Sequence, residues 1–517
     1  MNYKNQYQRK AHQEIDFIFL TLLPQAGLSV REEQVKLSHQ MLDTLLEGKI
    51  ALCDAGVGIG KTYAYLVACI LMRKYAAAIE NRWLCDKRPI VISTSSIALQ
   101  EAIIQEYIPF LSDIFLTTGL IASPLKAIVR KGKEHFVCDN RLEVRLEAVR
   151  EKPKNEAQKK ALFSLKQIYD MDEVANLSSF DRRLVCVPKF CPKECPGRTS
   201  CRYQMYLKQA RDPDIFFQIC NHNYLLADSS HRAKDYKPLL TDYRALIVDE
   251  AHKLPDAARQ MYGKSLCYED ILEICDFLEG KHQGMTAKKL KGVFHNMFHV
   301  ISENHMTKAG PASAFRMTEE CAIVLEDGKE ALKELTVKLR GIAPGWIRNQ
   351  LEKAGEVLTI FTESSKHYIL HLEQDKGKLP QLCATSRKIP DILSGMLWSQ
   401  GFPSILTSGT LKAGNGFSRT RQENGLGKEI RVMEYVAESP FAYEKNCLLY
   451  LPQTLRRTKH GSREEAVMLA QHIQRLICST YGHTLVLFTS YSLMGSVYQI
   501  LRDRLPFPMV EVWPTAQ

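Results

Sequence analysis

The sequence predicts an α/β protein organised around a parallel sheet with helices on both faces. Three stretches carry that expectation. The apolar run Ile50-Ala51-Leu52-Cys53 leads into a glycine-rich loop, Ala55-Gly56-Val57-Gly58-Ile59-Gly60-Lys61-Thr62, and then into a long helical pattern. Pro89-Ile90-Val91-Ile92-Ser93 is a second apolar run followed by a helical one. The third, Arg244-Ala245-Leu246-Ile247-Val248, ends in Asp249-Glu250-Ala251-His252. Continuous apolar strands alternating with helices are typical of a parallel sheet buried on both faces.

The chain has 517 residues, 45% of them hydrophobic, enough for substantial cores. About three or four domains are expected from size alone. Lys and Arg total 69 against 58 Asp and Glu, a net charge of +11. That balance favours polyanionic partners without identifying one. No apolar run approaches the roughly 18 residues that span a bilayer. The run Phe17-Ile18-Phe19-Leu20 is too short for a signal peptide, and Glu14 and Asp16 interrupt the approach to it. The expectation is an amphipathic N-terminal helix in a cytoplasmic protein without a membrane partner. Fifteen cysteines point to reduced thiols and metal ligands rather than a secreted disulfide framework.

Taken in order, Arg31-Glu32-Glu33-Gln34 opens an amphipathic run with apolar residues at Val35, Leu37, Met41, Leu42, Leu45 and Leu46. An amide about 25 residues before a phosphate loop can meet an adenine edge, since it offers both donor and acceptor. The competing reading of Gln34 is a solvated helix face. In the loop, glycines at 56, 58 and 60 permit a tight turn and aim consecutive N–H groups at phosphate oxygens. Lys61 supplies a charge for the β- and γ-phosphates, Thr62 a hydroxyl for Mg²⁺, and the following helix its positive end. Ala55 stands where the pattern has its first glycine, which alanine tolerates at negative φ. A nucleoside triphosphate is the implied ligand. Thr94, Ser95 and Gln100, at the end of the second strand and in the next helix, either bond a sugar-phosphate backbone or cap that helix.

At 244–249 a buried strand delivers two carboxylates to its C-terminal end, where ligands bind in such sheets. Asp249 then serves Mg²⁺ and Glu250 the attacking water. Between the two nucleotide motifs lie Cys186, Cys191, Cys195 and Cys201, four cysteines in 16 residues, spaced by prolines and a glycine. They ask for a metal. Four local thiolates suit zinc, and a [4Fe–4S] cluster also takes four, one of them from farther off. Spacing alone does not separate these.

Completed by His252, the Asp-Glu-Ala-His motif makes the chain resemble superfamily 2 helicases of the DEAH type, and more narrowly the DinG and XPD-related iron-sulfur helicases. The likeness extends over most of the chain. Arg31 and Gln34 match the family's adenine motif, and residues 91–100 (VISTSSIALQ) its strand-and-helix motif for single-stranded DNA. Asn221-His222-Asn223-Tyr224-Leu225-Leu226 resembles the segment before the acidic motif. Thr407-Ser408-Gly409-Thr410-Leu411 resembles the Thr-Ser-Ala-Thr-Leu motif that couples hydrolysis to strand movement. Gly409 departs from the family's alanine, and Val57 and Ile59 from its threonines. The resemblance implies ATP and Mg²⁺ at Ala55 to Thr62, with Lys61, Asp249, Glu250 and His252 catalytic. It implies a [4Fe–4S] cluster on Cys138, Cys191, Cys195 and Cys201 with Cys186 spare, zinc or an empty site being the alternatives. Single-stranded or forked DNA is the implied partner.

The region 141–170 has eight basic and five acidic residues and reads as solvated helix; in the family this insertion lies beside the DNA path. From about 260 to 387 the pattern is largely helical, matching the family's arch. There Lys288, Lys289, Lys291, Phe294, His295 and Phe298 either line a DNA channel or form an amphipathic helix with buried phenylalanines. Apolar runs at 447–451 and 484–488 read as strands flanking a helix over 464–478, and Phe488-Thr489-Ser490-Tyr491 resembles a motif of the second RecA-like domain. The expected division is a first RecA-like domain over 1–118, 221–260 and 391–440, a cysteine-rich insertion over 119–220, a helical arch over 261–390, and a partial second RecA-like domain over 441–517. A further helix is expected at 494–504. The sequence stops at Gln517, before the family's last motifs and its charge-stabilising arginine, so the expectation is a truncated chain or a partial paralogue of weak turnover. The leading reading is an ATP-dependent DNA helicase moving 5′ to 3′ in repair, replication or recombination. The alternative is an ATP-binding single-stranded DNA module with little unwinding, and a helicase-fused nuclease ranks last.

Overall fold

A computed structural model describes residues 3–510 apart from 81–85, 151–155, 189–190, 192–193, 196, 198, 306–311, 375–377, 415, 453–457 and 459–461. The chain divides into two compact units, Met1–Pro440 and Phe441–Gln517.

The first unit carries a seven-stranded sheet. Its strands are β1 (Ile50–Ala55), β2 (Ile90–Thr94), β3 (Lys126–Arg130), β4 (Ile215–Cys220) and β5 (Ala245–Asp249), joined later in the chain by β10 (Ser404–Ser408) and β11 (Val432–Ala437). They lie in the order β11-β1-β10-β5-β2-β4-β3, and every pairing is parallel. Alternate residues of one strand feed opposite faces. Ala51, Cys53, Ile90, Ile92, Ala245, Ile247 and Ile405 pack into one core with the helices Glu32–Leu46 and Lys61–Ile79. Ile50, Leu52, Val91, Leu246, Val248 and Leu406 pack into the other with Leu225, Leu254 and Leu393. This double burial is why the strands read as unbroken apolar runs.

An insertion between β3 and β4 holds the helices Asp139–Arg150, Glu156–Ser164, Ser179–Val185 and Arg202–Gln209. A second insertion follows β5. Its helices Tyr268–Gly280, Gly284–His305, Glu319–Lys338 and Gly345–Thr362 pack on an antiparallel sheet of β6 (Lys264–Leu266), β7 (Ala312–Ala314), β8 (Tyr368–Glu373) and β9 (Gln381–Ser386), in the order β6-β9-β8-β7. The stretch is largely helical, as expected, and it also carries this small sheet, which the sequence did not signal. The strands are short, and β7 has only three residues, so their period is lost among the longer helical patterns. Phe294 and Phe298 are fully buried. Lys291 pairs with Glu279 at 2.8 Å. The amphipathic-helix reading of that stretch fits, with both phenylalanines turned into the core.

The second unit contains the helices Tyr443–Asn446, Arg463–Ser479 and Tyr491–Leu501. The strands expected at 447–451 and 484–488 are absent among the described residues. Leu448, Leu449, Leu485 and Leu487 are instead exposed. No helix among the described residues is long and apolar enough to cross a membrane.

Candidate active site

Because all seven strands are parallel, their C-terminal ends share one edge. The register sets Asp54 of β1 beside Ser408 of β10, Thr407 beside Asp249 of β5, and Asp249 beside Thr94 of β2. Residues from four distant stretches of chain therefore meet there. The loop 56–60 joins β1 to the helix Lys61–Ile79, whose N-cap Gly60 is left-handed at φ 85°. A Cβ on Gly60 would sit 2.1 Å from Gln34 Nε2, and one on Gly56 would sit 2.8 Å from the backbone nitrogen of Ser439. Both positions exclude a side chain. Ala55 causes no conflict, since it ends β1 opposite Ala437 with ordinary strand backbone. Ile59 is buried in the core and Val57 is exposed.

Gln34 is buried and donates from Nε2 to the Gly60 carbonyl at 2.8 Å. It is part of the loop's wall, not a solvated face. Arg31 stands alongside, its Nη1 3.3 Å from the position a Gly60 Cβ would take. The Lys61 ammonium lies 3.7 Å from Glu250 Oε1. Glu250 itself adopts φ 54°, uncommon for a residue with a side chain, which turns the chain sharply off β5. Its Oε2 accepts from Ser408 Oγ at 3.3 Å, and Ser408 Oγ lies 2.7 Å from His252 Nδ1. The Thr-Ser-Gly-Thr-Leu stretch thus touches the acidic motif through Ser408. It touches the loop strand as well, because Leu411 N and Lys412 N both donate to Asp54 Oδ1, at 2.7 and 3.2 Å. An alanine at 409 would meet Ala55 O at 3.6 Å and Val57 Cγ2 at 4.0 Å, both ordinary contacts, so nothing steric requires the glycine.

Asp249 is 1% exposed. Burial pushes its carboxyl up to about 6, opposed by the Lys61 charge. Its Oδ1 accepts from Glu250 N at 2.9 Å and its Oδ2 from the Tyr65 hydroxyl at 3.2 Å. Tyr65, fully buried, also interacts with Thr62. It therefore links the two side chains suited to Mg²⁺. Sequence reasoning missed Tyr65, although it follows Thr62 by three positions and shares its helix face. It also missed Ser439, which donates to Val57 O at 2.8 Å from far down the chain, with no local signal.

No protein-family model matches the chain. Over 505 residues, 92% of this chain and 74% of the relative, it is 23% identical to the ATP-dependent DNA helicase YoaA of Haemophilus influenzae. Over 529 residues, 94% of this chain and 75% of the relative, it is 23% identical to the ATP-dependent helicase DinG of Mycobacterium tuberculosis. The chain is a homologue of these ATP-dependent helicases. The solved structure of S. tokodaii Xpd4 aligns over 92% of this chain and 74% of that one, with 14% identity and a TM-score of 0.45.

In this helicase homologue the three residues expected to meet DNA do not form one surface. Thr94 and Gln100 are buried, and Gln100 Nε2 donates to Thr94 O at 3.4 Å; Ser95 is partly exposed. The helix after β2 is capped by Ser96, whose Oγ accepts from Leu99 N. His222 lies beneath this edge, its Nδ1 2.7 Å from Ser93 Oγ, and burial pulls it down to about 4, so it is neutral.

The thiols expected to hold a cluster are neighbours. Burial pushes Cys191 up, Cys138 adds to this, Lys133 opposes it, and Cys201 and Cys195 contribute further. Asn140 Nδ2 donates to Cys195 Sγ at 3.4 Å. Cys186 instead bonds Arg183 O of its own helix at 3.5 Å. Lys189, Phe190, Pro192, Lys193, Pro196 and Arg198 of this segment lie outside the described residues. Among the described residues no three of these thiols come within 4.8 Å of one another. Four interacting thiols are a donor set that either a zinc ion or an iron-sulfur cluster takes.

Proposed function

We propose that this chain is an ATP-dependent DNA helicase that hydrolyses ATP at the C-terminal edge of the parallel sheet and moves 5′ to 3′ on single-stranded DNA. One observation carries the reading: Glu250 lies between Lys61 and the Ser408–His252 pair, so the group that would activate water touches both the phosphate-binding lysine and the segment that would report to DNA.

In this reading Gln34 and Arg31 face the adenine side. The glycine loop, Ala55 to Thr62, wraps the phosphates with its N–H groups. Thr62 and Asp249 would hold Mg²⁺, which supplies charge neutralisation on the phosphates. Glu250 takes a proton from the attacking water, leaving Lys61 to the γ-phosphate. The proton gained by Glu250 changes its bond with Ser408, and Ser408 passes that change to His252 and to the backbone at Leu411. Hydrolysis is thereby felt along β10. Cys138, Cys191, Cys195 and Cys201 would hold a [4Fe–4S] cluster, with Asn140 donating to one thiolate; such a group supplies electron-transfer capacity and pins the insertion.

Strand displacement on a forked DNA, with and without ATP and on a preparation that binds that DNA, tests the reading. Displacement that requires ATP and a 5′ single-stranded tail is the expected outcome. Binding without displacement would leave a nucleotide-gated DNA clamp in its place.

A further inference from the structure

The second insertion holds a group of metal-ligating side chains far from the nucleotide edge in sequence. In the pairing of β8 with β9, His371 stands directly opposite Cys383. Glu373 follows His371 by two positions and so points to the same face. The alternate residues Leu370, Leu372, Leu382 and Ala384 turn the other way, toward the helical core. On the face left over, an imidazole nitrogen, a carboxylate oxygen and the Cys383 sulfur all lie within 4.8 Å of one another. His371 Nε2 is 3.3 Å from Glu373 Oε1. Across the next pairing, the residues opposite His371 and Glu373 are Ala314 and Ala312, neither of which offers a competing polar side chain.

We propose that His371, Glu373 and Cys383 form a zinc site on the antiparallel sheet of the second insertion. A mixed nitrogen, oxygen and sulfur set suits Zn²⁺, whereas Mg²⁺ and Ca²⁺ take oxygen ligands. Tetrahedral zinc with bonds of about 2.0 to 2.3 Å spaces its ligand atoms by roughly 3.3 to 3.8 Å. Small side-chain rotations close the present separation to that value. The backbone is already correct, because both ligand strands lie inside the sheet rather than in loops. Three protein ligands leave the fourth position to water.

The site has a structural consequence. β6, the other neighbour of β9, follows the helix Leu254–Tyr262 directly after the acidic motif. β9 leads through the helix Ile389–Met396 to β10, where Ser408 meets His252. The sheet therefore holds both strands by which the insertion joins the nucleotide edge. Zinc bridging β8 and β9 would stiffen that junction.

The test is a zinc titration of the chelator-stripped full chain against a chromophoric chelator, comparing it with Cys383→Ser, His371→Ala and Glu373→Gln. The cysteine-rich insertion contributes equally to all four proteins, so differences belong to this sheet. The expected result is one zinc per chain more in the unaltered protein than in Cys383→Ser or His371→Ala. Glu373→Gln should weaken that site by about tenfold or more. Glu373 is exposed, so its substitution reads out even if the buried thiol is needed for folding. Cobalt in place of zinc should give a thiolate charge-transfer band that disappears in Cys383→Ser. Equal zinc stoichiometry and affinity in all four proteins would overturn the site.

Discussion

The parallel sheet and the second unit present the same kind of sequence with opposite outcomes. Ile405-Leu406 in β10 and Leu485-Val486-Leu487-Phe488 in the second unit are both short apolar runs ending in a Thr-Ser pair. The first is fully buried between two paired strands; the second stands with Leu485 and Leu487 each 84% exposed. A helix satisfies its backbone within itself, and the helix Arg463–Ser479 forms as its pattern requires. A strand's hydrogen bonds belong to its neighbours, so an apolar run becomes a strand only where other strands flank it. The difference lies in the partner, not in the run.

The largest expected effect lies at the edge that the sheet creates. Glu250→Gln keeps shape and polarity but removes the base, so ATP turnover should fall by about 10² or more while nucleotide binding persists. Single-turnover hydrolysis beside an equilibrium binding curve checks this. Turnover within a few-fold of the unaltered protein would remove Glu250 from the chemistry.

The sheet itself is probed by Leu406→Ala. Leu406 is fully buried between β1 and β5, and its truncation should cost about 2 to 5 kcal/mol, measured by denaturant unfolding of the first unit's transition.

Much of this edge is legible in the sequence. The run at Ile50 to Cys53, the glycines at 56 and 60, and Asp249-Glu250 each carry a local pattern with a physical cause. Gln34 was legible as a candidate only, and its bond to Gly60 O depends on how two helices pack. Tyr65 was hidden because a tyrosine in an apolar helix looks like core until its hydroxyl finds Asp249. Ser439 and Asp54 were out of reach for a different reason, since each acts on a segment more than 350 residues away. The antiparallel sheet of the second insertion was missed because its period is too brief. The strands expected at 447–451 and 484–488 erred in the other direction, by assuming neighbours.

A smaller effect is expected at Tyr65. Tyr65→Phe removes one hydrogen bond to Asp249, worth about 1 kcal/mol, so the Mg²⁺ concentration for half-maximal hydrolysis should rise several-fold. The pH profile gives a second readout. The Asp249 carboxyl is raised from 3.8 to about 6 by burial. The native state therefore holds its proton where the unfolded chain has lost it. Its contribution to stability is present below the unfolded value and is lost as pH rises through about 6. Hydrolysis needs the carboxylate and runs the opposite way, with an acidic limb that Mg²⁺ on Asp249 draws below the metal-free value. Because the tyrosine bond favours the carboxylate, Tyr65→Phe should move that acidic limb upward. An unmoved limb would detach Tyr65 from Asp249 in function.

The smallest effect tests the other half of the comparison. Leu485→Glu and Leu487→Glu place charges on side chains that face solvent, so each should change unfolding stability by no more than about 0.5 kcal/mol. The same substitution at Leu406 would bury an unpaired carboxylate and unfold the sheet. A cost above about 2 kcal/mol at Leu485 or Leu487 would mean that the run is buried in solution, hence flanked by a strand. The contrast between the two regions would then be one of which neighbour is present, and the run at 484–488 would be a strand after all.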